Sequence, residues 1–386
     1  MTPGARVAAA IEILDAIAGG LAAEQALTRW ARASRFAGSK DRAAVRDHVF
    51  DVLRRRRTAA HYGRGETGRS LMIGALVEAG ADPNQLFTGE GHAPAPPSAA
   101  EREMPAAPTD RPILWNLPDW LLPHIESSLG DRAEVTARAL QDRAPVFLRV
   151  NKAKTNRSGA QKMLHDAGIE TVENPLSGTA LTVIEGARRI RNSNAFSEGY
   201  VELQDASSQT VVDLLPPGER VLDYCAGGGG KSLAIAAQPD RTVFAHDSNP
   251  GRMRDLPLRA ARAGVRIPQL AKGALAGAGP FEIVLCDAPC SGSGAWRRAP
   301  EGKWRLTPEA LEDLIALQDS ILAQAARLVA PGGTLAYATC SLFRIENEAR
   351  VQAFLESNPG WQVTLEERFD VGNSGDGFFT AHLTRV

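Results

Sequence analysis

The second half of the chain alternates strand-like and helix-like segments, and few folds are compatible with that alternation. Strand-like runs lie at residues 220–224, 241–247, 281–287 and 333–339, and helix-like segments lie at 231–237, 250–263 and 308–329. Buried strands that alternate with helices are typical of a parallel sheet that is covered on both faces. The pattern predicts an α/β domain with a doubly wound, Rossmann-like sheet.

Four polar or nucleophilic side chains stand where these predicted strands end. They are Asp223, Asp247, Asp287 and Cys340. Ligands of doubly wound sheets bind outside the carboxyl ends of the strands. We therefore expect one crevice to hold all four side chains.

A glycine-rich loop, Cys225-Ala226-Gly227-Gly228-Gly229-Gly230-Lys231-Ser232, follows the first strand and opens a helix. Its backbone can approach a ligand closely because glycine has no side chain. A phosphate-binding P-loop would need glycine at position 225, and a dinucleotide fingerprint would need glycine at position 232 or 233. The loop therefore favours a nucleoside cofactor without phosphates, and S-adenosylmethionine fits that description.

Asp247 stands at the end of the second strand, where a carboxylate can accept hydrogen bonds from ribose hydroxyls. The sequence Asp247-Ser248-Asn249-Pro250 is also a strong local signal for the start of a helix. The two interpretations are compatible, and the sequence leaves both open.

Two cysteines each close a strand-like run. Cys290 follows Asp287-Ala288-Pro289, and Cys340 follows Tyr337-Ala338-Thr339. Carbon 5 of a pyrimidine becomes nucleophilic only after a group adds to carbon 6, and a thiolate is well suited to add there and leave again. The presence of two thiols indicates that each has a different task in the reaction. The carboxylate of Asp287 can hydrogen-bond the ring nitrogen and amino group of a cytosine.

A single cysteine at a strand end is otherwise a small buried hydrophobic residue, which is the better interpretation for Cys225 and Cys286. A free thiol with a pKa of ~8.5 is only slightly ionised at neutral pH, so a catalytic thiol needs positive potential nearby. The sequence does not decide which cation supplies it. The candidates are Lys231, Arg297, Arg298 and Lys303.

Bulk properties exclude several classes of protein. The four cysteines all lie at predicted strand ends in the second half of the chain, so we expect reduced thiols rather than a disulfide framework. The seven histidines show no metal-ligand spacing, and we expect no metal. No stretch approaches the ~20 apolar residues of a membrane-spanning helix, and Glu12 and Asp15 interrupt the apolar pattern at the start. We expect a cytoplasmic protein without a membrane role.

The chain has 386 residues, more than is usual for one domain, so we expect several compact units. Residues 1–87 carry apolar positions at helical spacing and predict a small helical bundle. Residues 88–112, rich in Gly, Pro, Ala, Ser and Glu, predict a flexible linker. Residues 113–205 predict a helical connection and a small α+β subdomain, and residues 206–386 predict the Rossmann-like domain.

The amino-terminal region is basic, although the net charge of the chain is only -1. Residues 1–70 hold 13 Arg and Lys residues against 7 Asp and Glu residues, and residues 54–57 are all arginine. That run fits a solvated helix face as well as a patch that binds phosphates. After the Cys290 motif, the segment 294–305 interleaves Trp296 and Trp304 with basic side chains. Such a segment either packs its tryptophans inward or grips RNA, and beside a base-modifying site we favour contact with RNA.

Three motifs together resemble the Sun (nucleolar protein and Fmu) family of RNA cytosine-C5 methyltransferases. They are residues 223–232 around the glycine-rich loop, residues 287–294 around Cys290, and Ala338-Thr339-Cys340-Ser341. The resemblance extends through residues 199–208, Ile345-Glu346-Asn347-Glu348 and residues 375–379. The amino-terminal region, with Asp41-Arg42 and Val52-Leu53-Arg54, is similar to the NusB-like helical RNA-binding domain of the bacterial branch, which methylates small-subunit ribosomal RNA.

The resemblance implies a role for each motif residue. Cys340 would be the nucleophile that adds to carbon 6 of cytosine, Cys290 would assist release of the methylated RNA, and Asp287 would contact both cytosine and cofactor. The same resemblance implies which residues hold S-adenosylmethionine. They are Cys225, Ala226, Gly227, Gly228, Gly229, Gly230, Lys231, Asp247 and Asp287.

Two positions depart from the family pattern. The family loop reads Cys-Ala-Ala-Pro-Gly-Gly-Lys, and this chain has Gly227 and Gly228 in place of Ala and Pro. The acidic residue expected beside the adenine after the third strand is missing, and Lys272-Gly273-Ala274 occupies that region. We expect the loop change to preserve close backbone approach and the missing carboxylate to affect adenine recognition.

The motifs predict an enzyme that methylates carbon 5 of cytosine in RNA, with small-subunit (16S) ribosomal RNA as the expected substrate and a covalent bond between Cys340 and carbon 6. A DNA cytosine-C5 methyltransferase would instead use Cys290 as its nucleophile. The Thr339-Cys340 motif and the amino-terminal helices argue against that alternative. A non-catalytic RNA-binding assembly factor is the third alternative, and the presence of both thiols and Asp287 argues against it.

Overall fold

The structure is a computed structural model, and it describes residues 1–385. Its contacts divide the chain into two compact units. One unit comprises Met1–Arg143 and the separate segment Trp296–Arg305, and the other comprises Ala144–Ala295 and the chain from Leu306 onward. The four-part division made from the sequence stays a prediction, but the contacts group residues 88–112 with the helices that precede them.

The first unit is a bundle of helices. They are α1 (Pro3–Ala18), α2 (Ala23–Ala33), α3 (Ser39–Arg54), α4 (Arg56–Gly63), α5 (Gly68–Glu78), α6 (Ala99–Arg102), α7 (Arg111–Leu114), α8 (Leu122–Leu129) and α9 (Ala133–Ala139). Apolar residues at helical spacing, such as Val7, Val45 and Val49, are fully buried in its core. The predicted helical bundle is confirmed.

A small α+β subdomain opens the second unit. Its elements are β1 (Val146–Val150), α10 (Arg157–Asp166), β2 (Glu170–Glu173), β3 (Ala180–Glu185), α11 (Asn194–Ser197) and β4 (Val201–Leu203). The strands form an antiparallel sheet in the order β2-β3-β1-β4. Leu148, Leu164 and Leu181 are fully buried in its core. The predicted α+β subdomain is confirmed.

A six-stranded sheet forms the centre of the remaining chain. Its strands are β5 (Arg220–Asp223), β6 (Thr242–Ala245), β7 (Phe281–Asp287), β8 (Val329–Thr339), β9 (Trp361–Phe369) and β10 (Phe378–Arg385). The order is β6-β5-β7-β8-β10-β9. The first four strands in this order are parallel, as predicted, whereas β10 is antiparallel to both β8 and β9. The antiparallel pair at the edge was not predicted.

The helices that accompany this sheet follow the predicted alternation, with one correction. They are α12 (Ala206–Asp213), α13 (Gly230–Ala236), α14 (Leu256–Ala263), α15 (Leu275–Ala278), α17 (Pro308–Ala326) and α18 (Glu348–Ser357), while α16 (Glu301–Arg305) belongs to the helical unit. The prediction of one helix over residues 250–263 is wrong, because Pro250–Met253 is a 3-10 turn and α14 begins at Leu256. Pro257 is tolerated in the first turn of α14, but in the interior of a longer helix it would remove a hydrogen bond.

The register of the parallel strands brings their carboxyl ends to one edge. Asp223 of β5 lies opposite Ala245 of β6 and Leu285 of β7, and Asp287 of β7 lies opposite Ala338 of β8. The residues that follow these strands therefore share one rim of the sheet. On the outer side of the edge strand β6, the segment after α14 forms an isolated parallel bridge, between Ala245 and Gln269.

Candidate active site

The two cysteine loops meet beyond the ends of β7 and β8. Sγ of Cys290 and Sγ of Cys340 are 3.4 Å apart, and both half-buried thiols are free. The hydrogen bond with Cys340, together with burial, raises the pKa of Cys290 well above its usual value. Either sulfur can donate this hydrogen bond, so the two thiols are close enough to pass a proton directly between them.

A buried carboxylate, Glu346, joins the two cysteine loops. One oxygen accepts a hydrogen bond from the backbone N–H of Ser291 at 2.8 Å, and the other accepts from the hydroxyls of Ser291 and Ser341. Nε2 of Gln318, on α17, donates to Glu346 at 3.0 Å. Because Ser291 and Ser341 directly follow the two cysteines, Glu346 fixes one loop against the other. In the sequence, Glu346 stood out only as part of a family motif.

Asp287 and Lys231 form an ion pair at the same rim. Nζ of Lys231 lies 2.6 Å from Oδ2 of Asp287, and the side chain of Lys231 is only 6% exposed. The ammonium of Lys231 also lies 5.1 Å from the ring centre of Phe378. Among the cations proposed from the sequence, Lys231 contacts another predicted site residue, Asp287.

Part of the basic and aromatic segment after the Cys290 motif packs into the helical unit, while Arg298 and Arg305 are exposed. Trp296, Arg297 and Lys303 are buried. Nζ of Lys303 donates a hydrogen bond to the backbone carbonyl of Arg54 at 2.8 Å, and burial lowers the pKa of Lys303 to about 7. The prediction that this segment grips RNA is wrong for these three side chains because they are buried, and Lys303 anchors the segment on α3.

The arginine run at residues 54–57 is occupied by ion pairs within the helical unit. The pairs are Arg54–Asp51, Arg55–Asp142, Arg56–Glu66 and Arg57–Asp119. Each guanidinium thus has a carboxylate partner between 2.7 and 3.3 Å away. These pairs favour the structural interpretation of the run over an open phosphate-binding patch.

Two glycines of the glycine-rich loop adopt left-handed backbone conformations. The φ angles are 51° at Gly227 and 79° at Gly229. A Cβ atom at Gly229 would lie 2.3 Å from Cδ1 of Leu256, whereas nothing lies within 4 Å of the Cβ position of Gly227. The loop therefore packs tightly against α14 at one glycine and leaves open space beside the other, where a ligand can approach the backbone.

Replacing Gly229 with alanine is expected to destabilise the loop more than the same change at Gly227. Both variants strain a left-handed backbone by about 1–2 kcal/mol, but Gly229→Ala adds the overlap with Leu256, at about 1–3 kcal/mol more. Thermal unfolding of the two variants without cofactor checks the difference. Equal losses of stability would show that the contact with Leu256 relaxes freely.

Asp247 supports the glycine-rich loop and the following turn at once. One oxygen accepts a hydrogen bond from the backbone N–H of Gly227 at 2.9 Å, and the other accepts from the N–H of Asn249, also at 2.9 Å. Asp247 therefore organises the local turn, as the helix-start signal indicated. Carboxylate oxygens have further acceptor capacity, which leaves the ribose interpretation compatible with this geometry.

Asp223, the last residue of β5, is a buried carboxylate with one unpartnered oxygen. The hydroxyl of Ser232 donates to Oδ2 at 2.6 Å, but Oδ1 has no hydrogen-bond partner among the described residues. Burial raises the pKa of Asp223 to about 7. A buried orphan oxygen next to the open glycine-rich loop fits the positively charged amino group of S-adenosylmethionine.

The raised pKa of Asp223 predicts how the stability of the cofactor-free protein depends on pH. Between about pH 4 and pH 7 the folded state keeps a proton that the unfolded chain has lost, so the free energy of unfolding falls as the pH rises. Asp223→Asn removes this contribution, which is about 4 kcal/mol for a shift of about three pKa units. The melting temperature of the variant, relative to the unchanged protein, should therefore rise from pH 5 to pH 8. A constant difference would contradict the raised pKa.

The other two cysteines differ from the reactive pair. Cys286 is fully buried and Cys225 is half-buried. Burial raises the pKa of both thiols. They match the interpretation of strand-end cysteines as small packing residues.

The region of the missing adenine-side carboxylate is an exposed turn. Lys272–Ala274 form a 3-10 helix, and Lys272 is exposed.

Within residues 1–385, no group of His, Cys, Asp or Glu side chains is arranged to hold a metal ion. No helix in this part of the chain is long and apolar enough to cross a membrane.

Comparison with known proteins places the fold and the site in one family. A family model described as 16S rRNA methyltransferase RsmB/F matches residues 212–384. A second model, described as the ferredoxin-like domain of RsmF/B-like methyltransferases, matches residues 117–189. Both matches lie outside the first hundred residues.

Two curated relatives share one name, Ribosomal RNA small subunit methyltransferase B. The chain is 33% identical over 284 residues to Ribosomal RNA small subunit methyltransferase B of Citrobacter koseri, and the match covers 69% of this chain and 66% of that protein. It is 33% identical over 287 residues to the protein of that name from Salmonella arizonae, with the same coverage. The match thus spans about two thirds of the length of these relatives.

Solved structures share the fold. The structure of PH0851 has a TM-score of 0.79 at 23% identity and covers 99% of both chains. The structure of NSun6 from Pyrococcus horikoshii with SFG has a TM-score of 0.62 at 19% identity, covering 71% of this chain and 99% of that one. With the two family matches and the curated relatives, the conclusion is that the chain belongs to the Sun (Fmu) family of S-adenosylmethionine-dependent RNA methyltransferases, in the group described as RsmB/F.

Proposed function

We propose that this protein methylates carbon 5 of a cytosine in small-subunit ribosomal RNA, with Cys340 as the nucleophile and S-adenosylmethionine as the methyl donor. The observation that carries the proposal is the pair of free thiols 3.4 Å apart, on two loops that share the carboxylate of Glu346. Two thiols this close suit an addition step by one and a proton transfer from the other during release.

In the proposed reaction, the thiolate of Cys340 forms a bond to carbon 6 of a cytosine that has left its base stack. The electron pair of the carbon 5–carbon 6 double bond then makes carbon 5 nucleophilic toward the methyl group that bound S-adenosylmethionine supplies. Release requires transfer of the proton on carbon 5 to solvent water, and the electron pair left behind restores the carbon 5–carbon 6 double bond as the bond between carbon 6 and sulfur breaks. Cys290 can deliver its S–H proton to the departing sulfur of Cys340.

Asp287 is the proposed contact to the cytosine ring. A carboxylate can accept hydrogen bonds from the amino group and from a protonated ring nitrogen, and this favours addition at carbon 6. The 2.6 Å ion pair with Lys231 fixes the orientation of the carboxylate and supplies positive charge at the rim. Asp287 is also a proposed cofactor contact.

The remaining cofactor contacts are proposed from the loop and the strand ends. The loop from Cys225 to Lys231 would face the cofactor with its backbone, Asp247 would accept from ribose hydroxyls, and Asp223 would accept from the amino group through its unpartnered oxygen. This set leaves the adenine side without the expected carboxylate, since Lys272 lies in that region.

The geometry disfavours the two alternatives that the sequence left open. A DNA-type enzyme would attack with Cys290 and gives no role to the second free thiol, Cys340, which lies 3.4 Å from its sulfur. A non-catalytic assembly factor gives no reason for Glu346 to hold the two cysteine loops together.

The cytoplasmic localisation expected from the sequence stays a prediction.

The proposed function is tested by methyl transfer to defined nucleic acids. The purified protein is incubated with S-adenosylmethionine and an unmodified transcript of small-subunit ribosomal RNA, and the digested RNA is analysed by mass spectrometry for 5-methylcytidine. A DNA duplex of the same sequence is the matched control. Methylation of the DNA, or of another RNA atom, would overturn the proposal.

A further inference from the structure

We propose that Arg259 and Arg149 are positioning residues that hold the glycine-rich loop in its cofactor-binding shape. The inference rests on the proposed function only in taking this loop as the place where S-adenosylmethionine binds. It assigns a role to two arginines that lie outside the loop and outside the motifs found in the sequence.

The loop needs support from outside because it contains four consecutive glycines, Gly227 to Gly230. Glycine loses more conformational freedom on ordering than any other residue, so such a loop has little stiffness of its own. Its left-handed φ angles at Gly227 and Gly229 define one particular shape. Backbone carbonyls that are held by fixed donors would select that shape before the cofactor arrives.

Arg259, on α14, supplies the first of these donors. Its guanidinium donates a hydrogen bond to the backbone carbonyl of Gly228 and another to Oε2 of Glu202 at 3.1 Å. Glu202 is buried and also pairs with Arg262. Because the carboxylate fixes the guanidinium, Arg259 presents its second N–H group to the loop in a defined position.

Arg149, on β1, supplies the second donor. It is only 3% exposed, and its guanidinium donates to Oε1 of Gln204 at 2.7 Å and to the backbone carbonyl of Gly230 at 2.6 Å. Burial lowers the pKa of Arg149 to about 10, so the guanidinium stays charged at neutral pH. Charge-assisted hydrogen bonds of this kind are stronger than those between neutral groups.

The two arginines are coupled to one another through the α+β subdomain. Arg149 of β1 lies directly opposite Glu202 of β4 in the antiparallel pair, and Glu202 is the residue that orients Arg259. Arg149 thus holds the carbonyl of Gly230 directly, and Glu202 acts on the carbonyl of Gly228 through Arg259. The subdomain therefore contributes to the shape of the cofactor loop.

The test compares two arginines that share one partner. Arg259→Ala removes the donor to Gly228, whereas Arg262→Ala removes the same charge and the same type of bond to Glu202 without touching the loop. We expect Arg259→Ala to raise the Kd and KM for S-adenosylmethionine about tenfold. We expect kcat at saturating cofactor to stay within about twofold of the unchanged protein, because the reacting groups are not moved. Arg262→Ala should leave both constants close to those of the unchanged protein.

Hydrogen exchange of the amides at residues 227–230 gives a second measurement that needs no cofactor. These amides should exchange faster in Arg259→Ala than in the unchanged protein and in Arg262→Ala. Equal exchange and equal Kd in the two variants would overturn the proposal, as would a fall in kcat without a rise in KM. If the unchanged protein does not bind S-adenosylmethionine, the proposed function fails, but the exchange experiment still decides the role of Arg259.

Discussion

Incubation of the Cys290→Ala variant with RNA and S-adenosylmethionine is expected to trap a covalent complex that survives a denaturing gel. In this variant Cys340 can still add to carbon 6 of the target cytosine. The thiol that lies 3.4 Å from its sulfur in the unchanged protein is missing, so the departing sulfur of Cys340 has lost its nearest proton donor. The adduct therefore accumulates instead of turning over.

The Cys340→Ala variant is the matched control, because it removes the other member of the same pair. We expect no adduct on the gel and a loss of methyl transfer of at least about 10⁴-fold, since removal of a nucleophile abolishes covalent catalysis. Binding of S-adenosylmethionine should survive in both variants, as neither cysteine lies in the glycine-rich loop. Loss of cofactor binding would instead indicate a damaged fold.

The reverse result would assign the chemistry differently. An adduct with Cys340→Ala and none with Cys290→Ala would make Cys290 the nucleophile, as in a DNA-type enzyme. That outcome would overturn the assignment of Cys340 as the nucleophile. Absence of an adduct in both variants, without methyl transfer by the unchanged protein, would favour a binding factor or a different RNA.

The sequence predicted the part of the fold whose signals are local. The parallel strands β5 to β8 contain apolar runs with a polar or reactive residue at or just after the strand end, so both their existence and their shared rim were readable. Strand β9 was missed because most of its side chains are exposed and several are charged. Only the pairing with β10 makes that segment a strand, and such pairing is tertiary information.

In the candidate site, too, the sequence predicted what depends on local residue type and missed what depends on tertiary contacts. The cysteines and the glycines were identified because chemistry or backbone conformation restricts the residue type at those positions. The packing of Trp296 and Lys303 into the helical unit was not readable, because an interleaved aromatic and basic segment has the same pattern whether it faces RNA or a neighbouring helix. Glu346 was not assigned a role because its partners Ser291 and Gln318 are distant in sequence.

Replacing Glu346 with alanine is expected to lower kcat about 100-fold, which is the usual scale for displacing catalytic groups by about 1 Å. The change removes the acceptor of the backbone N–H of Ser291, at about 1–3 kcal/mol for an unpaired buried group, whereas Nε2 of Gln318 keeps its bond to the carbonyl of Pro289. The loops that carry Cys290 and Cys340 then lose their common anchor. Single-turnover methyl transfer and the rate of adduct formation in a Cys290→Ala background measure the effect.

Glu346→Gln is the variant that separates positioning from charge. The two N–H donors, from Ser291 and Gln318, share one oxygen of Glu346, and the two hydroxyls, from Ser291 and Ser341, share the other. A glutamine can keep its oxygen toward the N–H donors and point its amide group at the hydroxyls, which can rotate to accept. The glutamine variant should therefore retain kcat within about tenfold, if Glu346 acts by holding the loops. A loss as large as that of Glu346→Ala, with cofactor binding intact in both variants, would show instead that the negative charge itself takes part in the reaction.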